Sequence, residues 1–128
     1  MEFQKLINRA MDLRRQYAEK EKQLYGAPLI DEDIAQGFLG DVNNLVKLVM
    51  AEHGKRGIAN SKEKLASQLA HCLWSVIVLA RMHDIDLEQS FMEAMDRLEH
   101  YQKNGATDHA FGWAEVIDVE RWRAQRCA

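Results

Sequence analysis

The sequence has little proline and little cysteine for its length. One proline, Pro28, and two cysteines, Cys72 and Cys127, occur among 128 residues. The two thiols are far apart in the chain, so they form neither a disulfide framework nor a Cys-x-x-Cys metal pair. The near absence of proline leaves long segments in which helices can run without interruption.

The chain also lacks a basic block and a long apolar run. Seventeen basic and twenty acidic side chains give a formal net charge of −3, which does not favour binding to a nucleic-acid backbone. The longest apolar run, residues 73–80, falls short of the ~20 residues that span a bilayer, and the first residues lack the plan of a signal peptide. We therefore expect a cytoplasmic protein that binds neither nucleic acid nor membrane.

What is present is typical of one globular domain over residues 1–128. Apolar residues make up 47% of the chain and charged residues 29%, close to the average for globular proteins. Strand-like alternation is nearly absent before Tyr101, whereas apolar residues recur at helical spacing. The sequence predicts an all-α fold, a bundle of four main helices with a C-terminal extension.

The first two helices are predicted from apolar stripes and from the residues that end them. The first stripe runs from Phe3 to Leu24, with Arg14 on the opposite polar face, and the Gly-Ala-Pro run at 26–28 ends the helix. The second helix is predicted over 31–54, with Asp31 as its cap. It contains Gly37 and Gly40, and glycine inside a helix is unfavourable. These two positions therefore predict a place where the fold needs a small residue.

The next two helices open on capping patterns. The run Asn-Ser-Lys-Glu at 60–63 predicts the start of the third helix, which is apolar almost all round to Met82 and is expected to be the central one. Asp86, followed three residues later by Gln89, predicts the start of the fourth, which ends before Gly105. Residues 106–128 give a weak signal: a packed turn at 111–113, then either a short helix or a strand and a turn between Val116 and Gln125.

Two polar steps interrupt the apolar faces of the second and third helices. Asp41 and Asn44 are three residues apart, and so are Gln68 and His71. A step of three keeps two side chains on one face of a helix. Two antiparallel helices could bring the steps together around a small polar cavity, or the four residues could be exposed positions with no role.

The segments around these steps resemble a known family. Residues 38–45 (FLGDVNNL) are similar to the Glu-x-x-Glu segment of the all-α nucleotide pyrophosphohydrolases related to MazG and dCTP pyrophosphatase. Residues 68–74 (QLAHCLW) are similar to its Glu-x-x-Asp partner, and residues 85–91 (IDLEQSF) to its Ile-Asp-Leu helix start. The resemblance covers about residues 31–101 and implies a MazG-like helical bundle, as a homodimer or a dimer of dimers.

In that family, four acidic side chains hold the Mg²⁺ that binds a nucleoside triphosphate and activates water, which releases a monophosphate and pyrophosphate. The resemblance places this metal site at four positions of the present chain: Asp41, Asn44, Gln68 and His71. Only Asp41 is a carboxylate, and Mg²⁺ prefers charged oxygen ligands. We therefore expect weak Mg²⁺ binding and a weak or lost nucleotide pyrophosphohydrolase activity. The alternative is a non-catalytic helical module that oligomerises or binds a ligand.

Other side chains are candidates for a functional role. His71 could pair with Asp41 and so fill the place of the metal ion. Trp74 could stack on a base, but its apolar surroundings favour a place in the core. Six basic residues are expected near a pocket mouth, where they are ordinary surface side chains or, as the less favoured alternative, contact phosphate: Lys47, Lys55, Arg56, Lys62, Lys64 and Arg97.

Overall fold

The structure, a computed structural model, describes residues 2–104. This part of the chain is all-α, as the sequence predicts, and contains no strand. Its helices are α1 (Phe3–Tyr25), α2 (Asp31–Glu52), α3 (Ser61–Met82) and α4 (Leu87–Asn104). The turn predicted at 111–113, the element predicted between Val116 and Gln125, and Cys127 lie outside the described residues.

The described residues divide into two compact units, one up to Ile85 and one from Asp86 onward. The first unit contains α1, α2 and α3, and in it α3 packs against both α2 and α1. The buried apolar side chains of the unit are few: Leu48, Ile77, Val78 and Ala80. Three of these four belong to α3, which confirms α3 as the central helix of this unit.

Trp74 joins α3 to α1. Its indole Nε1 donates a hydrogen bond of 3.2 Å to the carbonyl oxygen of Ala10, and its ring centroid lies 5.6 Å from that of Tyr17. The one polar atom of the half-buried indole is thus satisfied where the ring packs against α1, the usual arrangement for a packed tryptophan. Trp74 packs between the helices as predicted, but it is half-buried and does not belong to the fully buried core.

The end of α1 follows the sequence signal. Gly26 adopts a left-handed conformation, with φ of 84°, and its N–H donates to the carbonyl oxygen of Lys22 at 2.9 Å. Glycine has no Cβ to oppose this conformation, so it is the usual residue after the last helical turn. The predicted stop at 26–28 is confirmed.

The prediction that Arg14 lies on the polar face of α1 is wrong, because Arg14 is buried with Glu21. The two side chains form a bidentate ion pair with both N···O distances at 2.8 Å. Residues seven apart lie on the same helical face, two turns away from each other. The pair also binds the backbone of Leu29 after the turn: Glu21 Oε1 accepts the Leu29 N–H at 2.8 Å, and Arg14 donates to its carbonyl oxygen at 3.4 Å.

This ion pair changes the protonation equilibria of both groups. The hydrogen bond from Arg14 holds the pKa of Glu21 below its ordinary value against the opposing effect of burial, and the Leu29 N–H lowers it further. The same hydrogen bond raises the pKa of Arg14. Both groups are therefore charged near neutral pH, and each buried charge has its partner.

Side-chain pairs close both ends of the α2–α3 hairpin. The Ser61 hydroxyl donates to Glu52 Oε1 at 2.8 Å where the loop joins the helices, and His83 Nε2 lies 3.0 Å from Asp31 Oδ2 at the other end. Both helices begin where they are predicted, but their caps differ from the prediction. Ile30, not Asp31, holds the cap position of α2, and Asn60 makes no side-chain capping hydrogen bond.

The expectation that Gly37 and Gly40 mark a place that needs a small residue is wrong. A Cβ built on either glycine meets no atom within 4 Å. Neither residue has a positive φ. Close packing in the structure therefore does not explain these glycines, and alanine fits at both positions.

In the second unit, α4 begins as its capping pattern predicts. Asp86 Oδ1 accepts the backbone N–H of Gln89 at 3.0 Å. Side chains four residues apart then bond along the helix, Gln89 to Glu93 at 2.9 Å and Lys103 to Glu99 at 3.0 Å. Such pairs stabilise a helix locally.

By length and composition alone, α3 is apolar enough to cross a membrane. The mean hydropathy of α3 is high because short apolar runs are separated by few polar residues, although α3 has no unbroken apolar run long enough to span a bilayer. The central helix of a soluble protein has the same composition. In this chain, the C-terminal half of α3 contains the most buried side chain, Val78, which is 1% exposed.

Candidate functional site

A cavity of about 330 Å³ lies between α2 and α3, near the loop that joins them. Its volume is at the lower end of the range for small-molecule sites. The lining residues come from the last half of α2, from the loop and from the first half of α3: Asn44, Lys47, Leu48, Ile58, Lys64, Ser67, Gln68 and His71. On each helix they recur at steps of one, three or four residues, so each helix presents one face to the cavity.

The cavity contains three of the four positions singled out in the sequence. Asn44 lines it from α2, and Gln68 and His71 line it from α3. Asp41, the one carboxylate of the four, is half-buried on α2 but does not belong to the lining. The structure thus brings the two polar steps to one place, without the residue best suited to hold a cation.

The pairing of His71 with Asp41 is not formed. In the part of the chain that the structure describes, neither side chain makes an ion pair, and no hydrogen bond joins them. Asp41 is not at the cavity wall, whereas the exposed His71 is. Within residues 2–104, no carboxylate is therefore placed to orient the imidazole.

The charge of the cavity is positive. Its lining contains Lys47 and Lys64 and no aspartate or glutamate, which gives a formal charge of +2 with His71 neutral. Among residues 2–104, no group of three or more histidine, cysteine, aspartate or glutamate side chains is placed to hold a metal ion. Mg²⁺ requires several oxygen ligands and a matching negative charge, so the residues present do not fit this ion.

Gln68 contributes an unused hydrogen-bond donor. Its Nε2 is buried and has no hydrogen-bond partner, the one such side-chain atom within residues 2–104. A buried donor without a partner is unfavourable, so such an atom in a native structure calls for an acceptor. The terminal torsion of glutamine is soft, which allows the amide to turn toward a group bound in the cavity.

Lys47 and Lys64, two of the six basic residues expected near a pocket mouth, both line the cavity. Lys47 is three residues after Asn44, and Lys64 is four before Gln68. These steps put each lysine on the same helical face as the polar pair of its own helix. This spacing is the signal in the sequence that places these two lysines at the cavity.

A second hollow of about 280 Å³ lies between α1 and the end of α3. Its lining is mostly polar: Ile7, Asn8, Met11, Asp12, Arg15 and Arg81. Arg15 is paired with Asp12, so the charge of one of the hollow's two arginines is already compensated. The α2–α3 cavity is the stronger candidate, because its two lysines have no such partner.

Comparisons of the chain with protein-family models, with curated proteins and with solved structures give no match. The resemblance to the MazG-like family therefore depends on the three short segments quoted above.

Proposed function

We propose that this chain is a small-molecule-binding helical protein, related to the MazG-like nucleotide pyrophosphohydrolases, that does not catalyse their Mg²⁺-dependent reaction. One observation carries the proposal. The lining of the α2–α3 cavity includes Asn44, Gln68 and His71, three of the four positions that the resemblance assigns to the metal site, and includes no aspartate or glutamate among the described residues. The cavity has the position and size of a ligand site but not the donor set of a magnesium site.

The chemistry of the family reaction explains why the donor set matters. Release of pyrophosphate from a triphosphate needs compensation of the growing charge on the phosphate oxygens and an activated water molecule, and the metal ion supplies both. Amide and hydroxyl groups can orient a ligand, but they do not lower the pKa of water as a metal ion does. The exposed imidazole of His71 has no carboxylate partner to orient it as a base. Binding without turnover is the function that these residues support.

A turnover assay tests this proposal. Pure protein incubated with each of the common nucleoside triphosphates and with Mg²⁺ or Mn²⁺ is expected to release no pyrophosphate above the rate without protein. The matched control is the triple variant Asn44→Glu, Gln68→Glu, His71→Asp, which returns carboxylates to the cavity and is expected to bind Mg²⁺ more tightly in calorimetry. Pyrophosphate release by the unchanged chain that is lost in Asp41→Ala would overturn the proposal.

Self-association is a second candidate function, which the surface of α1 favours. Five large apolar side chains on α1 are between 38% and 74% exposed, and four of these share one face: Leu6, Leu13, Tyr17 and Leu24. They follow one another at steps of seven, four and seven residues. With 3.6 residues per turn, these steps align the side chains in one narrow stripe, ~27 Å long at 1.5 Å per residue. We call this set the α1 stripe.

The α1 stripe has the symmetry that a second copy of the same chain requires. Its positions are symmetric about residue 15, so an antiparallel α1 of another copy places Leu6 opposite Leu24 and Leu13 opposite Tyr17. A two-fold interface uses the same surface on both partners and must be self-complementary in this way. A homodimer through α1 is therefore the partner that we propose for this face.

A change in the middle of the α1 stripe tests the homodimer. Sedimentation of the unchanged chain is expected to show a dimer at micromolar concentration, and Leu13→Glu is expected to shift it to monomer, because each dimer would bury two carboxylates. Asn8→Glu, on the other side of α1, is the control and is expected to remain dimeric. A monomeric unchanged chain, or a dimer that survives Leu13→Glu with its helicity intact, would exclude this interface.

A further inference from the structure

The half-buried position of Lys47 distinguishes it from the other basic side chains. Among the lysines and arginines of residues 2–104, only Arg14 and Lys47 are not exposed. Arg14 has the carboxylate of Glu21 at 2.8 Å, whereas Lys47 makes no ion pair with any described residue. The half-buried Lys47 side chain lines the cavity and has no counter-charge among the described residues, so the cavity offers an anion a positively charged partner.

The other groups of the cavity favour the same class of ligand. Lys64 brings a second ammonium group, and Gln68 brings the buried donor that has no partner among the described residues. Asn44 and Ser67 can donate as well. A carboxylate ligand carries one negative charge and two acceptor oxygens, whereas a phosphate group carries up to two charges and three or more acceptors. Two ammonium groups and several neutral donors match the phosphate group better.

We propose that the α2–α3 cavity binds the phosphate group of a small molecule directly, without a metal ion. Lys47 and Lys64 compensate its charge, and the amide of Gln68 donates to one of its oxygens. Leu48 and Ile58 provide an apolar wall for the body of the ligand. This inference deepens the proposed ligand-binding function, since it names the class of ligand and the groups that recognise it. It also reverses the sign of the site that the family resemblance implies, because Lys47 and Lys64 stand beside the former metal-ligand positions and the lining has no aspartate or glutamate.

Calorimetric titration with inorganic pyrophosphate and with inorganic phosphate, in the presence of EDTA, tests the inference. Binding is expected to be unaffected by EDTA and to weaken as salt concentration rises. Lys47→Ala and Lys64→Ala are each expected to weaken pyrophosphate binding at least tenfold. Lys62→Ala is the matched control, because Lys62 is an exposed lysine in the same first turn of α3 and does not line the cavity; it is expected to change affinity less than twofold.

The outcomes separate this inference from the proposed function. Pyrophosphate binding that requires Mg²⁺, or equal binding by Lys47→Ala, Lys64→Ala and the unchanged chain, would overturn the direct phosphate site. Acetate or neutral fragments that shift the amide resonances of Ser67 and Gln68, while both phosphates do not, would also overturn it and leave a ligand-binding cavity. Failure of every probe to perturb these resonances would count against both proposals. Pyrophosphate release from nucleotides would contradict only the proposal that the chain lacks pyrophosphohydrolase activity.

Discussion

Glu21→Ala is expected to lower the free energy of unfolding by about 3 kcal/mol, since removal of one partner from a buried ion pair leaves the other charge uncompensated. Arg14 then stays buried without its carboxylate, and the Leu29 N–H loses its acceptor. Urea unfolding followed by circular dichroism measures the change. The matched control is Glu19→Ala, whose side chain is 69% exposed and lies 3.6 Å from Lys22, and its expected cost is below ~0.5 kcal/mol.

The pH dependence of stability provides an independent check on the same pair. The pKa of Glu21 is lowered in the folded state, so its stabilising contribution is complete above the ordinary pKa of 4.5 and is lost as the pH falls through the folded-state value. The difference in unfolding free energy between the unchanged chain and Glu21→Gln is therefore expected to be largest at neutral pH and to shrink in acid. A difference that is constant with pH, or equal effects of Glu19→Ala and Glu21→Ala, would contradict the role given to this pair.

The second large effect is expected at Trp74. Trp74→Ala removes the ring that packs against Tyr17 and the hydrogen bond to the Ala10 carbonyl, and it is expected to cost about 3 kcal/mol. Trp74→Phe keeps an aromatic ring and loses the donor, so its expected cost is about 1 kcal/mol. Thermal and urea unfolding measure both values.

The neighbouring residue Leu73 provides the control for this prediction. Its side chain is 45% exposed, so Leu73→Ala is expected to cost less than half as much as Trp74→Ala. A double-mutant cycle with Tyr17→Ala is expected to give a coupling of ~0.5 to 1.5 kcal/mol for the aromatic pair. If Trp74→Ala costs no more than Leu73→Ala, then Trp74 does not hold α1 against α3.

The helix bounds could be predicted from the sequence because local chemistry sets them. The Gly-Ala-Pro run after α1 and the Asp86 cap of α4 each act on a neighbouring turn, and each has the predicted effect. The bonding at the start of α3 could not be read in the same way. Ser61 can bond to its own helix or to a distant acceptor, and in the structure it bonds to Glu52, nine residues earlier.

The burial of Arg14 and the charge of the cavity could not be predicted from the sequence, because both depend on how the helices pack. An arginine on a half-polar helix is usually exposed, and only the packing of Glu21 and Leu29 around it explains why Arg14 is not. The prediction that two polar steps would meet was correct for Asn44, Gln68 and His71. It was wrong for Asp41, which lies about one helical turn before Asn44 and does not line the cavity. Residue spacing shows which side chains share a face of α2, but it does not show how far along the helix the cavity extends.

The contacts of Leu29 have a consequence for how the first unit opens. Its N–H and its carbonyl oxygen are both bonded to side chains of α1, so the connection between α1 and α2 is attached at a residue that belongs to neither helix. Hydrogen exchange at the Leu29 amide then requires loss of its bond to Glu21 Oε1, and the protection of this amide reports on that event. Movements that break this bond detach the turn from α1, which couples the entry of α2 to the second half of α1.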